Sequence, residues 1–267
     1  LPEFIAIEPL TLTALVFCGL AGGFINTIAA SGATVTLPTM ISLGLSAGEA
    51  NGTNRLAAVA GLATATWRFQ QAGAIPWSLT LKATVPMVLG AAIGAFGATA
   101  LADEYITIAV AISLIFVLIT LITKPSQFLE EPNLDLRGDQ IELKLIFYLL
   151  MGVTGLWAGF ISLGSGVMTL LVLVLGGKIP LKTANILKCF VRLSSSLVAL
   201  IIFGLRGDIN WVWAIPLALS SMVGANIAAK IALGPQASQW IFRSLIVVVC
   251  LEAGSFIWRI GFNLPNF

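Results

Sequence analysis

The sequence contains no histidine, three cysteines, and charged residues at only 10% of its 267 positions. Without histidine there is no Ser–His dyad, no HExxH zinc site and no histidine ligation of haem. Cys18, Cys189 and Cys250 stand alone in apolar surroundings with no CxxC spacing, which excludes a disulfide framework or a zinc site and leaves buried structural thiols. The shortage of charge excludes an ordinary soluble domain, in which about 25% of residues are charged. Fourteen Lys and Arg against twelve Asp and Glu form no basic cluster, so no nucleic-acid partner is expected. No cofactor is implied, and no separate cleavable signal is expected ahead of the first apolar stretch.

What the chain does have is apolar length. Hydrophobic residues make up 58% of it and mean hydropathy is +1.00. Runs of about 20 such residues span a bilayer. The expected fold is therefore an all-α polytopic membrane protein, with the lipid bilayer as its first partner.

The stretch Asn26 to Pro38 organises the rest. It begins in one apolar helix, breaks at Ser31-Gly32, and restarts as a segment of about 20 Å, too short for a hydrocarbon core of about 30 Å. A hairpin dipping into the membrane is expected there. The same plan recurs 134 positions later: Ser165-Gly166 follows Ser31-Gly32, and Ala184-Asn185 follows Ala50-Asn51. Phe69/Phe203, Gly73/Gly207, Ile75/Ile209, Trp77/Trp211 and Gly90-Ala91/Gly224-Ala225 keep that offset. The chain thus divides into an N-terminal repeat (1–123), a polar linker (124–143) and a C-terminal repeat (144–267). Each repeat is expected to hold a broken or re-entrant helix hairpin and three transmembrane helices. In the first copy these lie near 11–45, from after the polar cluster Glu49–Arg55 to about 69, and near 79–101 and 104–123; in the second near 144–177, 183–203, 211–233 and 238–260.

A hairpin plus three crossings inverts the second copy relative to the first. With the N-terminus outside, only Arg55, Arg206 and Arg259 of the fourteen cations fall outside, as the positive-inside rule favours. Both termini are then outside and the linker is cytoplasmic. The tryptophans near predicted span ends read as interfacial anchors. A homodimer is compatible with such a chain, but no residue argues for it.

Inverted repeats with broken helices are a transporter signature. A break frees backbone N–H groups at the start of the second half-helix, and these with the helix dipole suit an anion. Gly32, Ala33 and Thr34, with Gly166, Val167 and Met168, are the expected donors; Ser31, Thr34, Thr36, Ser165 and Thr169 add hydroxyls. Asn51 and Asn185 either cap the helices that follow or touch the ligand. Asn26 offers an interhelical bond or a substrate contact. Arg55, Lys188 and Arg192 follow the two Ala-Asn pairs closely, as snorkelling flank charges or as compensation for an anion. Asn54 stands beside Arg55 in the same polar cluster. Glu252 is an intramembrane carboxylate that either pairs with Arg259 or faces a water-filled crevice. Ser31 and Ser165 are not nucleophiles, because no base accompanies them.

The segments Gly19-Leu-Ala-Gly-Gly-Phe-Ile-Asn-Thr-Ile-Ala-Ala-Ser-Gly-Ala-Thr-Val-Thr-Leu-Pro38, Gly44-Leu-Ser-Ala-Gly-Glu-Ala-Asn-Gly-Thr-Asn-Arg55 and Gly155-Leu-Trp-Ala-Gly-Phe-Ile-Ser-Leu-Gly-Ser-Gly166 resemble the TauE/SafE sulfite exporter family. The resemblance covers essentially the whole chain. It implies two related halves, a place in the cytoplasmic (inner) membrane, and export of sulfite or organosulfonates such as sulfoacetate. The family's glycine-rich segment falls on Ser31-Gly32-Ala33 and Gly164-Ser165-Gly166. Its following proline is Pro38 in the first copy but Val172 in the second, so the half-sites are not chemically equal. The expected function is a secondary transporter, not an enzyme, that moves a small anion by alternating access between the two breaks. An anion channel and, more remotely, a membrane enzyme are the alternatives.

Overall fold

The computed structural model describes residues 8–28, 31–98, 143–247 and 250. The expected span at 104–123, most of the linker, and the Glu252–Arg259 pair lie outside the described residues. Among those residues the structure is helical throughout, with no strand. In chain order the helices are α1 (Pro9–Ile28), α2 (Ala33–Ser42), α3 (Ala47–Gln71) and α4 (Trp77–Gly97). They are followed by α5 (Leu145–Phe160), α6 (Ser165–Leu171, continued by a π turn over Val172–Gly176), α7 (Leu181–Arg206) and α8 (Trp211–Leu233). A further helix, α9, runs over residues 237–247. Of these, α1, α4, α7 and α8 are long and apolar enough to cross a membrane.

Local chemistry explains where the long helices begin and end. The Ser46 hydroxyl accepts from Glu49 N at 3.2 Å to start α3, and Asn210 Oδ1 accepts from Trp213 N at 3.2 Å to start α8. Helices α3 and α7 finish alike. Gly73 and Gly207 adopt φ of +63° and +80°, and the next amide folds back, Ala74 N to Phe69 O (3.0 Å) and Asp208 N to Phe203 O (3.1 Å). The 134-residue offset therefore has a physical content: the paired Phe and Gly residues build the same helix stop twice.

The packing is inside-out relative to a soluble protein. Leu81, Val85, Leu89, Ile93 and Phe96 form an exposed apolar stripe along α4, and Leu145, Leu149, Val153 and Leu156 do the same on α5. Such continuous apolar faces suit lipid rather than water. Trp67, Trp77, Trp211 and Trp240 are also exposed, as interfacial anchors would be. Trp157 is different: its indole Nε1 donates to Leu163 O at 3.0 Å and braces the break after α5.

Inside, α1 lies along α8 and α5 along α4, while α3 packs on α7 and α8 and α7 packs on α4. Exchanging the two copies converts the α1–α8 contact into the α5–α4 contact. Small residues let these backbones touch. A Cβ on Gly90 would stand 2.0 Å from Gly152 O, and one on its counterpart Gly224 would stand 1.9 Å from Leu20 O. Interhelical contact through small residues is the usual device where lipid supplies no hydrophobic drive.

Candidate anion site between two helix breaks

Helix α5 stops because the chain turns extended at Ile161 (φ −136°, ψ 139°) and then left-handed at Gly164 (φ +69°). The interruption strips the last carbonyls of α5 of their helical partners, a costly condition away from water. Side chains from α3, in the other copy, replace those partners. Arg55 donates from one terminal nitrogen to Ala158 O (2.6 Å) and from the other to Gly159 O (3.0 Å) and Asn51 Oδ1 (3.2 Å). Asn51 Nδ2 donates to Phe160 O at 3.1 Å. The Arg55 guanidinium also lies 5.2 Å from the centroid of the Phe203 ring.

The end of α1 is served the same way from α7. Asn185 Nδ2 donates to Thr27 O at 3.0 Å, and Lys188 Nζ donates to Asn26 O (3.0 Å) and Thr27 O (3.4 Å). Helices α3 and α7 thus each cap a broken helix with one amide and one cation. A cation at a helix C-terminus also opposes the negative end of the dipole. Neither Asn51 nor Asn185 caps its own helix, since both sit inside α3 and α7. Their equivalence by sequence reflects this crossed capping.

Ser162 joins the two breaks. Its carbonyl accepts from Ser31 Oγ at 2.8 Å and from Ser165 Oγ, its amide donates to Asn51 Oδ1 at 3.4 Å, and its hydroxyl meets Arg192 at 3.4 Å. A cavity of about 10 Å³ lies beside it, lined by Asn26, Gly32, Ala33, Thr36 and Asn54 among others. That is about the room one water needs. Thr36 Oγ1 donates to Asn54 Oδ1 at 2.6 Å on its wall.

The expected backbone donors are partly committed elsewhere. Thr34 N donates to Ser31 O (3.2 Å) and Met168 N to Gly164 O (3.1 Å), so neither amide points to a ligand. The hydroxyls of Thr34 and Thr169 turn back on Ser31 O and Ser165 O. Gly166 is buried inside α6, away from the cavity lining. Asn26, Ser31, Asn51, Asn54, Arg55, Ser165, Asn185, Lys188 and Arg192 are all buried and all join the network or the cavity around the breaks.

The charge balance of this network is unusual. Arg55, Lys188 and Arg192 are 0%, 0% and 1% exposed. Every hydrogen-bond partner that the described residues offer them is neutral. The described carboxylates are Glu8, Glu49 and Asp208, and none is buried.

The family model for sulfite exporter TauE/SafE matches residues 15–253. The chain belongs to that family. Similar proteins include a "Probable membrane transporter protein" of Haemophilus influenzae, 28% identical over 246 residues (89% of this chain, 91% of that protein). The "Probable membrane transporter protein YfcA" of Escherichia coli K12 is 26% identical over 245 residues (91% and 88%). The "Probable membrane transporter protein ORF9" of a Sinorhizobium species is 27% identical over 235 residues (86% and 85%). No solved structure matches the chain. Membership in TauE/SafE makes the chain a membrane transporter rather than an enzyme and leaves its solute to be argued from the site.

Sequence reasoning missed Ser162, Phe203 and the carbonyl ends of the two broken helices. Ser162 falls within the family segment Gly155–Gly166, but its partner at the 134-residue offset is Ile28. A search for identities between copies passes over such a residue. Gly164 gives a clean test of the break itself. A Cβ there would touch nothing within 4 Å, so Gly164→Ala adds only backbone strain at φ +69°. The expected loss is about 1–2 kcal/mol, read as a lower unfolding temperature of the purified protein. An unchanged temperature would show that the left-handed turn is not required.

Proposed function

We propose that the protein is a secondary transporter of small anions, sulfite or organosulfonates such as sulfoacetate, working by alternating access around the two breaks. One observation carries the reading: three buried cations whose partners among the described residues are all neutral converge where the helices are interrupted. Keeping an ion away from water costs several kcal/mol even after relaxation. The two helix ends return roughly half a negative charge each. Three positive charges against about one negative leave an excess near two. An anion of charge one or two completes that balance, which suits sulfite and sulfoacetate.

The cavity supports alternating access over an open pore. With about 10 Å³ it holds a water but no oxoanion, so loading needs the elements around Ser162 to separate. The crossed caps support two halves moving as units, since each carries the polar groups that hold the other's helix end. The matching α1–α8 and α5–α4 contacts favour an inverted pair of repeats, and the lysine and arginine bias favours both termini outside a cytoplasmic membrane.

The test is uptake by proteoliposomes containing the purified chain, with sulfite and sulfoacetate set against sulfate and an amino acid. Saturable flux confined to the sulfonates and sulfite is expected. Flux of none of these anions would remove the substrate assignment. Unsaturable, electrically resolved current would replace the carrier by a channel.

A further inference from the structure

We propose that Arg192 is the residue that binds the transported anion, while Arg55 and Lys188 are positioning residues that hold the broken helices. This rests on the anion-transport reading above and divides labour within it.

The three buried cations differ in what they already do. Arg55 has both terminal nitrogens spent on Ala158 O, Gly159 O and Asn51 Oδ1, at 2.6–3.2 Å. Lys188 is seated on Asn26 O and Thr27 O. Both rest on the negative ends of helices, where a cation is favoured without any ligand. Arg192 donates to no helix-end carbonyl among the described residues. Among the described residues its one hydrogen bond is a long 3.4 Å approach to Ser162 Oγ, and its Nε and second terminal nitrogen have no partner there although the residue is 1% exposed.

A buried guanidinium with two idle nitrogens is poorly satisfied. Leaving such donors unpaired is costly, and a charged group makes it worse. A water could meet one donor but not the charge. An oxoanion meets the charge and a pair of donors, because each edge of the guanidinium fork matches two oxygens of a sulfonate or sulfite as it matches carboxylate and phosphate, and each edge joins one idle nitrogen to the nitrogen that now meets Ser162 Oγ. Ser162 places this fork at the transport path: the hydroxyl that Arg192 meets belongs to the residue that lines the cavity and ties Ser31 to Ser165. Lengthening that 3.4 Å contact frees the fork and the hydroxyl together for an anion entering beside Ser162. Arg192 has Ala58 as its counterpart at the 134-residue offset, so the site carries one such fork and not two.

Thermal unfolding of the full chain in detergent separates the roles, with sulfite as the probe and sodium gluconate at matched ionic strength as control. Wild-type protein should gain stability with sulfite, by mass action. Arg192→Gln removes an unsatisfied charge. Its unfolding temperature without sulfite should stay level or rise, and the sulfite midpoint should move up on the order of 10- to 100-fold. Arg192→Lys keeps the charge but not the fork and should respond with an intermediate midpoint. Arg55→Gln should lose stability even without sulfite. The assignment is overturned if Arg192→Gln responds to sulfite like wild type, or if it lowers the sulfite-free unfolding temperature as Arg55→Gln does. Wild-type protein that responds to neither sulfite nor sulfoacetate would instead sink the anion-transport reading, and this assignment with it.

Discussion

Replacing Arg55 by Ala should unfold or severely destabilise the protein rather than merely slow its transport. From sequence, Arg55 is a ligand candidate whose loss reduces flux in a folded protein. In the structure its two terminal nitrogens satisfy Ala158 O, Gly159 O and Asn51 Oδ1, all on buried residues. Each buried acceptor left unpaired costs about 1–3 kcal/mol. Asn51 Oδ1 keeps the Ser162 amide at 3.4 Å, so the two carbonyls put the loss at roughly 2 kcal/mol or more, against a total stability of about 5–15 kcal/mol for a typical protein. Relief of the buried charge offsets part of this, but Arg55 faces a helix C-terminus and Phe203, which already favour a cation. The measurement is the yield of monodisperse protein and its unfolding temperature in detergent. Arg55→Lys should recover part of the loss, because an ammonium reaches carbonyls as Lys188 does. A well-folded Arg55→Ala protein with wild-type stability would show that the end of α5 finds other partners.

The second large effect is expected at the helix crossings. Gly90→Val and Gly224→Val should each abolish folded protein. A single Cβ at Gly94 would already stand 1.9 Å from Leu156 O, and one at Gly159 would stand 2.0 Å from Ala91 O. The obstructing atoms at Gly90 and Gly224 are likewise backbone, Gly152 O and Leu20 O, which cannot rotate away as a side chain can. The helices would have to separate along their length, opening the contacts that α4 makes with α5 and α1 with α8. Overpacking a well-filled interior costs about 1–3 kcal/mol where side chains can give, and a backbone clash costs more. Size-exclusion profiles after extraction give the readout. Gly97→Val is the control, since a Cβ at Gly97 meets nothing within 4 Å. Its protein should be monodisperse, and equal behaviour of Gly90→Val and Gly97→Val would refute the close-packing argument.

These two effects live on different links of the chain from sequence to function. Gly90 and Gly224 govern how near two helices come, and so where the breaks lie relative to α3 and α7. Arg55 and Lys188 then hold the broken ends that this spacing brings within reach. The arrangement explains how irregular backbone persists deep in an apolar fold: its carbonyls are buried in protein and bonded by side chains.

The sequence by itself determined the solvent, the helices and the breaks. Low charge and long apolar runs could only mean a bilayer. Glycines at 73 and 207, Ser46, and Asn210 set helix ends through local bonds. Ser31-Gly32 falls on the first interruption, whereas the second lies at 161–164 and Ser165-Gly166 already open α6. The 134-residue repeat also pointed to Asn51 and Asn185 as important residues. What each polar side chain does was decided only by the tertiary structure. Asn51 and Arg55 act on carbonyls more than 100 positions away, and Asn185 and Lys188 reach back across more than 150. No local pattern encodes a partner at that distance. The sequence showed three cations near two breaks, and their order of importance depended on which donors the fold had already used. Arg55 is occupied on both terminal nitrogens. Arg192 keeps two nitrogens idle among the described residues, where its hydrogen bond is to the Ser162 hydroxyl and not to a helix-end carbonyl.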